Sequence, residues 1–124
     1  MPTPPGADAG RHAQQEDYGR FSMIRVTVLY PDSSGGKFDF DYFAGAHLSL
    51  VKEKLGADLK DVEFVKGLGD PAGGPAPYVA MANMLFESTD VFQQAMGSVG
   101  GELLGDVPAY TDIQPVMQIS EVIS

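Results

Sequence analysis

Cysteine and tryptophan are absent from the sequence, and basic residues are few. The absence of cysteine excludes disulfides, zinc–thiolate sites, iron–sulfur clusters and a cysteine nucleophile. Only 8 lysines and arginines stand against 17 aspartates and glutamates, which gives a formal net charge of −9. Because nucleic acids and anionic lipid surfaces bind basic proteins, we expect no nucleic acid and no membrane among the partners.

Long hydrophobic runs are missing as well. No apolar stretch approaches the roughly 20 residues of a membrane span, and the first residues lack the apolar core of a secretory signal. We therefore expect a cytoplasmic protein. The chain has 124 residues, of which 44% are hydrophobic, and this is enough for one compact domain but not for two.

Two regions differ in composition. Residues 1–22 contain three prolines and many small or charged residues, with no apolar periodicity. Such a segment buries too little surface to offset its ordering entropy, so we predict a mobile N-terminal tail at 1–22. A single folded domain is predicted at 23–124.

Alternating and helical patterns divide this domain into six elements. Asp39 and Ser88 are predicted to cap the two helices, and Gly56 to end the first. The predicted elements, in chain order, are a strand at 23–30, a helix at 39–56, strands at 61–68 and 78–86, a helix from 88 that is interrupted at Gly100-Gly101, and a long strand at 111–123.

The order β-α-β-β-α-β predicts an α+β protein with the ferredoxin-like arrangement, in which an antiparallel sheet carries both helices on one face. The predicted strands are nevertheless apolar on both faces, since Val79, Met81 and Leu85 alternate with the residues that would face the helices. An apolar face of this kind needs a cover. The simplest cover is a second copy, and this predicts a homodimeric α+β barrel.

Three stretches of the domain resemble the EthD family, which belongs to the dimeric α+β barrel superfamily. They are Met23–Tyr30, then Lys37–Phe43 with His47 four residues on, and Asp106–Val122, which is the most specific of the three. The family often has a proline two residues after this histidine, where this chain has Ser49. It also often has an asparagine between the proline and tyrosine of the late turn, where this chain has Ala109.

The resemblance implies a broad range of functions. The family takes its name from a protein encoded beside a cytochrome P450 system that degrades ethyl tert-butyl ether, and members are often labelled reductases. Relatives in the superfamily include cofactor-free monooxygenases, cyclases, isomerases and haem-binding proteins. No dinucleotide or P-loop fingerprint is present for NAD(P)H or a nucleotide, so we expect no cofactor.

His47 is the single histidine of the domain and lies on the apolar stripe of the first predicted helix. It should therefore point toward the sheet. One interpretation is a general acid/base at the end of a pocket. The alternative is a core histidine that bonds to a backbone carbonyl. A lone histidine is a poor zinc site, so no metal is expected.

Tyr110, Thr111 and Asp106 form a second candidate group. A tyrosine hydroxyl can polarise a carbonyl, and an aspartate can orient a histidine. The same residue types also commonly build a turn that leads into a strand.

Neutral polar residues provide the remaining candidates. Gln114 and Gln118 point to the same face of the last predicted strand, and Asn83 lies on the third strand. They could orient a mostly apolar ligand in a pocket, or they could bond across the dimer interface.

Three functions therefore stay open. The first is binding, and turnover without a cofactor, of a small and largely apolar organic molecule, with His47, Tyr110 and Asp106 as catalytic candidates and Asn83, Thr111, Gln114 and Gln118 as binding candidates. The second is a non-catalytic accessory role as a component of a P450 oxygenase system. The third is haem binding through His47.

Overall fold

A computed structural model of the chain describes residues 22–32 and 36–124. Residues 1–21, which make up nearly all of the predicted tail, lie outside the described residues, as do 33–35. Within the described ranges, no helix is both long enough and apolar enough to cross a lipid bilayer.

Four strands form one antiparallel sheet in the order β2-β3-β1-β4. The strands are β1 (Ile24–Pro31), β2 (Asp61–Lys66), β3 (Tyr78–Phe86) and β4 (Val116–Glu121). One helix connects β1 to β2 and another connects β3 to β4, so the chain has the predicted ferredoxin-like α+β fold. β1 is central and pairs with β3 and β4.

The first helix, α1, has three consecutive parts. An α-helical turn at Phe40–Tyr42 is followed by a π-helical segment at Phe43–His47 and a longer α-helical part at Leu48–Leu55. The Asp39 carboxylate accepts a hydrogen bond from the Tyr42 N–H and so caps the helix as predicted. Gly56, at a φ of 54°, ends it.

The π-helical segment changes which residues of α1 face the sheet. A regular α-helix would place Ala44 on the buried stripe, yet Ala44 is exposed, and Phe43, His47, Val51 and Leu55 form the buried row. The sequence pattern did not reveal this change. The wider π-helical turn rotates the residues on either side of it relative to each other, and no residue type in the sequence marks where such a turn occurs.

The second helix, α2, runs from Thr89 to Gly105, and the Ser88 hydroxyl accepts from the Val91 N–H at its start. The expected interruption at Gly100-Gly101 is wrong, since both residues are helical. Gly100 is buried beside Met96, where an added Cβ would lie 2.9 Å from the Met96 methyl group. Close packing at this turn offsets the low helix propensity of glycine.

The last strand is shorter than predicted. β4 spans only Val116–Glu121, and Thr111 forms an isolated bridge to Phe38 instead of beginning the strand. The Thr111 hydroxyl also accepts from the Ile113 N–H, which turns the chain at that point. Pro115 cannot donate to a ladder, and it precedes the first paired residue. β2 likewise ends at Lys66, and Leu68 is 94% exposed.

One face of the sheet packs against both helices and forms the core. On β1 and β3 every second residue is buried, from Ile24 to Tyr30 and from Ala80 to Phe86. Phe43, Val51 and Leu55 of α1 and Phe92, Ala95 and Leu103 of α2 complete this cluster.

The opposite face has no cover within the described part of the chain. By strand register, Leu29, Met81, Leu85 and Val116 share this face with Thr27 and Asn83, and Val116 is 54% exposed. This is the apolar second face that the sequence predicted.

Candidate active site

The candidate site lies where the π-helical segment of α1 meets the end of α2. His47 is buried, and its Nδ1 lies 2.8 Å from Oδ2 of Asp106. Tyr42 donates its hydroxyl to the other oxygen, Oδ1, also at 2.8 Å. Both oxygens of this carboxylate are therefore held by side chains of α1, and the histidine partner is a carboxylate instead of the backbone carbonyl that the alternative interpretation required.

Two further tyrosines extend the network beyond His47. The hydroxyl of Tyr110 lies 3.4 Å from Nε2 of His47, and the hydroxyl of Tyr30 lies 2.5 Å from that of Tyr110. Both tyrosines are 2% exposed. The side chains thus form one chain of hydrogen bonds, in the order Tyr30, Tyr110, His47, Asp106 and Tyr42.

The donor and acceptor in each hydrogen bond of this chain follow from Asp106 at one end. An ionised carboxylate on Asp106 only accepts, so His47 donates from Nδ1, and in a neutral imidazole the lone pair then lies on Nε2, which accepts. Tyr110 then donates to Nε2, and Tyr30 donates to Tyr110. A neutral imidazole with its hydrogen on Nδ1 is the form that acts as a general base at Nε2.

The pKa values of the network agree with an ionised Asp106 and two protonated phenols. Burial by itself would raise the pKa of Asp106, but hydrogen bonds from His47 and Tyr42 outweigh it and hold that pKa below its ordinary value. Burial raises the pKa of Tyr110, and the bond with Tyr30 raises it further. Burial also raises the pKa of Tyr30, and this outweighs the lowering effect of its bond with Tyr110. Both phenols therefore stay protonated as donors.

An apolar cavity of about 50 Å³ lies beside this network, between the sheet and the helices. His47 and Tyr30 line it, and every other lining residue is apolar. Three of those residues are the flexible side chains Met84, Met96 and Met117. The cavity is larger than the roughly 10–15 Å³ that one water requires, and it has one polar end.

The cavity opens at the end of α2. An outer groove of about 350 Å³ shares Leu104, Val107 and Pro115 with the cavity lining. Leu104 is 49% exposed and Met117 is 40% exposed. These side chains form a mouth between the cavity and the surface.

The sequence candidates divide into residues that meet here and residues that do not. His47, Tyr110 and Asp106 come together in one network. Thr111 is buried nearby, but its hydroxyl donates to the Lys37 carbonyl and accepts from the Ile113 N–H. Gln114 is exposed and lines the outer groove.

Asn83 and Gln118 lie on the uncovered face of the sheet, across the strands from the cavity. The Thr27 hydroxyl donates to Oδ1 of Asn83 at 3.0 Å, and Gln118 donates to the Ser120 hydroxyl at 3.0 Å. Strand pairing places Asn83 and Gln118 on either side of Thr27. These two residues therefore belong to a different surface from His47.

The two departures from the family pattern lie away from the cavity. Ser49 and Ala109 are both exposed, and Ala109 lines an open groove on the outside of Tyr110. Neither residue belongs to the hydrogen-bond network.

Tyr30 and Tyr42 are the functional candidates that sequence reasoning missed. Tyr30 has the pattern of an ordinary core position at the end of a strand, and Tyr42 falls between two phenylalanines near a helix start. No local signal distinguishes them, since their partners are 80 and 64 residues away. Among residues 22–32 and 36–124, no three histidine, aspartate or glutamate side chains are grouped to hold a metal ion.

The ferredoxin-like fold and the buried histidine–carboxylate network define a small α+β protein with a candidate acid/base cavity. An EthD-like protein from Ralstonia eutropha JMP134 is similar to this chain at 42% identity and a TM-score of 0.79, over 83% of this chain and 94% of its own. The chain therefore belongs to the EthD family.

Other structures are similar at lower identity. An EthD family protein from Bacillus halodurans matches at 22% identity and a TM-score of 0.66, over 82% of this chain and 99% of its own. A hydroxynitrile lyase from Passiflora edulis matches at 13% identity and a TM-score of 0.64, over 84% and 96%. These two likenesses show the fold alone. No protein-family model matches the chain, and no curated protein matches it.

Proposed function

We propose that this protein binds a small, uncharged and largely apolar organic molecule in the cavity and moves a proton on it without a cofactor. The observation that carries this proposal is the composition of the cavity wall. Its two polar residues are His47 and Tyr30, and Tyr110 connects them in one buried chain of hydrogen bonds. A polar end in an otherwise apolar cavity is the usual arrangement of a small-molecule site.

The wall disfavours charged ligands. No lysine or arginine lines the cavity, so a bound carboxylate would lose its hydration without gaining a cation. A bound ammonium group would also lose its hydration without gaining a partner, because His47 and Tyr42 already hold both oxygens of Asp106. A ketone, an aldehyde or an alcohol with a compact hydrocarbon body fits the wall best.

The proton transfer is general acid/base chemistry. When the ligand is bound, Tyr110 donates to Tyr30 instead of to His47, which frees Nε2 and the Tyr30 hydrogen. Nε2 of His47 then takes a proton from the carbon next to a carbonyl; the C–H electron pair forms the carbon–carbon double bond, and the carbonyl π pair moves onto the oxygen. Asp106 stabilises the imidazolium that forms. The Tyr30 hydroxyl donates to the developing enolate oxygen, and a proton can return to another atom of the ligand from His47 or Tyr30.

Cavity size argues against haem binding. A porphyrin needs several hundred Å³, the range of ordinary cofactor sites, and this cavity has about 50 Å³. An accessory role beside an oxygenase stays the second candidate, because the net charge of −9 suits a basic partner surface.

The homodimer and the cytoplasmic location belong to the same proposal. A second copy laid on the uncovered sheet face would remove Leu29, Met81, Leu85 and Val116 from water. It would also bury Asn83 and Gln118, which then bond across the interface instead of binding the ligand.

Deuterium exchange of a methyl ketone in D2O tests the proposal directly. The probe is 3-methylbutan-2-one, whose methyl protons are followed by proton NMR. We expect the protein to accelerate their exchange, and we expect His47→Ala to abolish the acceleration while the fold is retained by circular dichroism. Isobutyrate, a carboxylate of the same shape, should not inhibit the exchange at millimolar concentration.

The controls separate this function from its alternatives. Gln118→Ala, on the other face of the sheet, should exchange the probe at the wild-type rate. A wild-type protein that binds the ketone without accelerating exchange would favour the accessory role. Acceleration that survives in His47→Ala would remove His47 from the mechanism.

A further inference from the structure

Tyr42 and His47 are five residues apart on α1, and both bond to the carboxylate of Asp106. A regular α-helix turns 100° per residue, so residues five apart point about 140° away from each other. Two side chains placed in that way cannot reach one carboxylate. The geometry of α1 therefore has to differ between them, and the π-helical segment Phe43–His47 fills this interval.

The π-helical hydrogen bonding brings the two side chains together. The Leu48 N–H is shared between the Gly45 carbonyl and the Phe43 carbonyl, and the bond to Phe43, five residues back, is the π-helical pattern. Each such turn holds one residue more than an α-helical turn, so residues five apart come onto the same side. Tyr42 and His47 then lie one above the other, facing Asp106 at the end of α2.

We infer that Tyr42 is a positioning residue of the site, and that the π-helical segment is what lets Tyr42 and His47 hold the two oxygens of Asp106 at once. A carboxylate held at both oxygens cannot rotate away from Nδ1 of His47. The histidine ring is then fixed with Nε2 toward Tyr110 and the cavity. Tyr42 also stacks on Tyr110, with the ring centres 6.2 Å apart and the planes at 23°.

The catalytic importance of Tyr42 rests on the proposed function, but its contact with Asp106 can be tested without any ligand. Gly45 lies inside the π-helical segment, and an added Cβ would meet no atom within 4 Å outside the adjoining chain and helix backbone. Inserting one alanine after Gly45 makes Tyr42 and His47 six residues apart, so that at 100° per residue they point about 120° away from each other. Gly45→Ala is the matched control, because it changes the same position and keeps the length of the helix.

The experiment follows the Asp106 carboxyl carbon by NMR as a function of pH in the full chain, with no ligand added. Tyr42→Phe removes one hydroxyl, and the pKa of Asp106 should rise because a hydrogen bond to its ionised form is lost. The alanine insertion should raise this pKa as well, because it turns Tyr42 away from Asp106. The two changes combined should raise it no further than the insertion alone, because both remove the same contact. Gly45→Ala should leave the titration of Asp106 unchanged.

Three results would overturn the inference. They are an unchanged Asp106 pKa in Tyr42→Phe, additive shifts in the double variant, and a Gly45→Ala titration that matches the insertion. Should the insertion variant fail to fold, Tyr42→Phe and Gly45→Ala decide the question by themselves. Ketone exchange by Tyr42→Phe then gives the catalytic readout, and we expect kcat to fall with little change in KM. An unchanged Asp106 titration refutes the positioning role even where exchange is observed, whereas absent exchange in the wild type refutes only the proposed function.

Discussion

Oδ2 of Asp106 lies 2.8 Å from Nδ1 of His47, although the two residues are 59 positions apart in the chain. The contact joins the C-terminal end of α2 to the π-helical segment of α1. His47 is 6% exposed, and the Asp106 side chain is 18% exposed. A mostly buried carboxylate whose oxygens are both occupied couples the protonation of this site to the stability of the fold.

The free energy of unfolding at acidic pH should depend on the contact between Asp106 and His47. The pKa of Asp106 is lower in the folded chain than in the unfolded chain, where it is about 3.9. The stabilisation is therefore present above about pH 4 and is lost as the pH falls through the folded value. We expect Asp106→Asn to lower the free energy of unfolding at pH 7 and to flatten its fall below pH 4, as measured by urea titration.

The control for this prediction is Asp58→Asn, at an exposed aspartate just after α1. It should retain the acid dependence of the wild type. Equal acid dependence in the wild type and Asp106→Asn would show that the contact does not stabilise the fold.

The free energy of unfolding at alkaline pH should depend on the buried pair Tyr30 and Tyr110. The pKa values of Tyr30 and Tyr110 are raised by burial in the folded chain, so the folded state keeps protons that the unfolded state releases above about pH 10. The stabilisation is complete below pH 10 and is lost as the pH rises, by about 1.4 kcal/mol per pH unit for each tyrosine. Tyr110→Phe should reduce this slope. A wild-type free energy of unfolding that is constant from pH 9 to pH 11 would contradict the prediction.

Filling the cavity should block the ligand and spare the fold. Ala82 lines the cavity, so the two added carbons of Ala82→Val enter existing space, and valine suits a strand. We expect ketone exchange to be lost while the melting temperature stays within a few degrees of the wild type. Ala80→Val is the matched control, because Ala80 is fully buried and does not line the cavity. Overpacking there should cost about 1–3 kcal/mol.

The uncovered sheet face should hold the dimer together. Met81→Glu places a charge at the centre of this face, where a partner sheet would bury it. We expect the wild type to sediment as a dimer at low micromolar concentration and Met81→Glu to sediment as a monomer. Leu68→Glu makes the same kind of change at a loop residue that is 94% exposed, and it should remain dimeric. A wild-type species near 13 kDa with a native circular dichroism spectrum would contradict the dimer.

Local patterns predicted most of the fold. The alternation in β1 and β3 and the caps at Asp39 and Ser88 depend on neighbours in sequence, and all four appear in the structure. The long last strand was wrong because Thr111 pairs with Phe38, more than 70 residues away. No alternation pattern encodes such a partner.

The candidate site was predicted only in part. The family motif marked His47, Tyr110 and Asp106, and these residues do meet. Tyr42 also lies in a stretch that resembles the family, but nothing singled it out, because its role depends on the π-helical segment and on a carboxylate brought close by the packing of α2 against α1. The same limit applies to Gln118, whose strand register with Thr27 puts it on the face away from the cavity.

The most direct test of the account is to locate the bound ketone through the methionine methyl groups. With the methyls labelled by carbon-13, 3-methylbutan-2-one should shift the NMR signals of Met84, Met96 and Met117, which line the cavity. The signal of Met81, on the uncovered face, should stay in place. Shifts confined to Met81, or no shift at saturating ketone, would contradict the claim that the cavity beside His47 and Tyr30 is the ligand site.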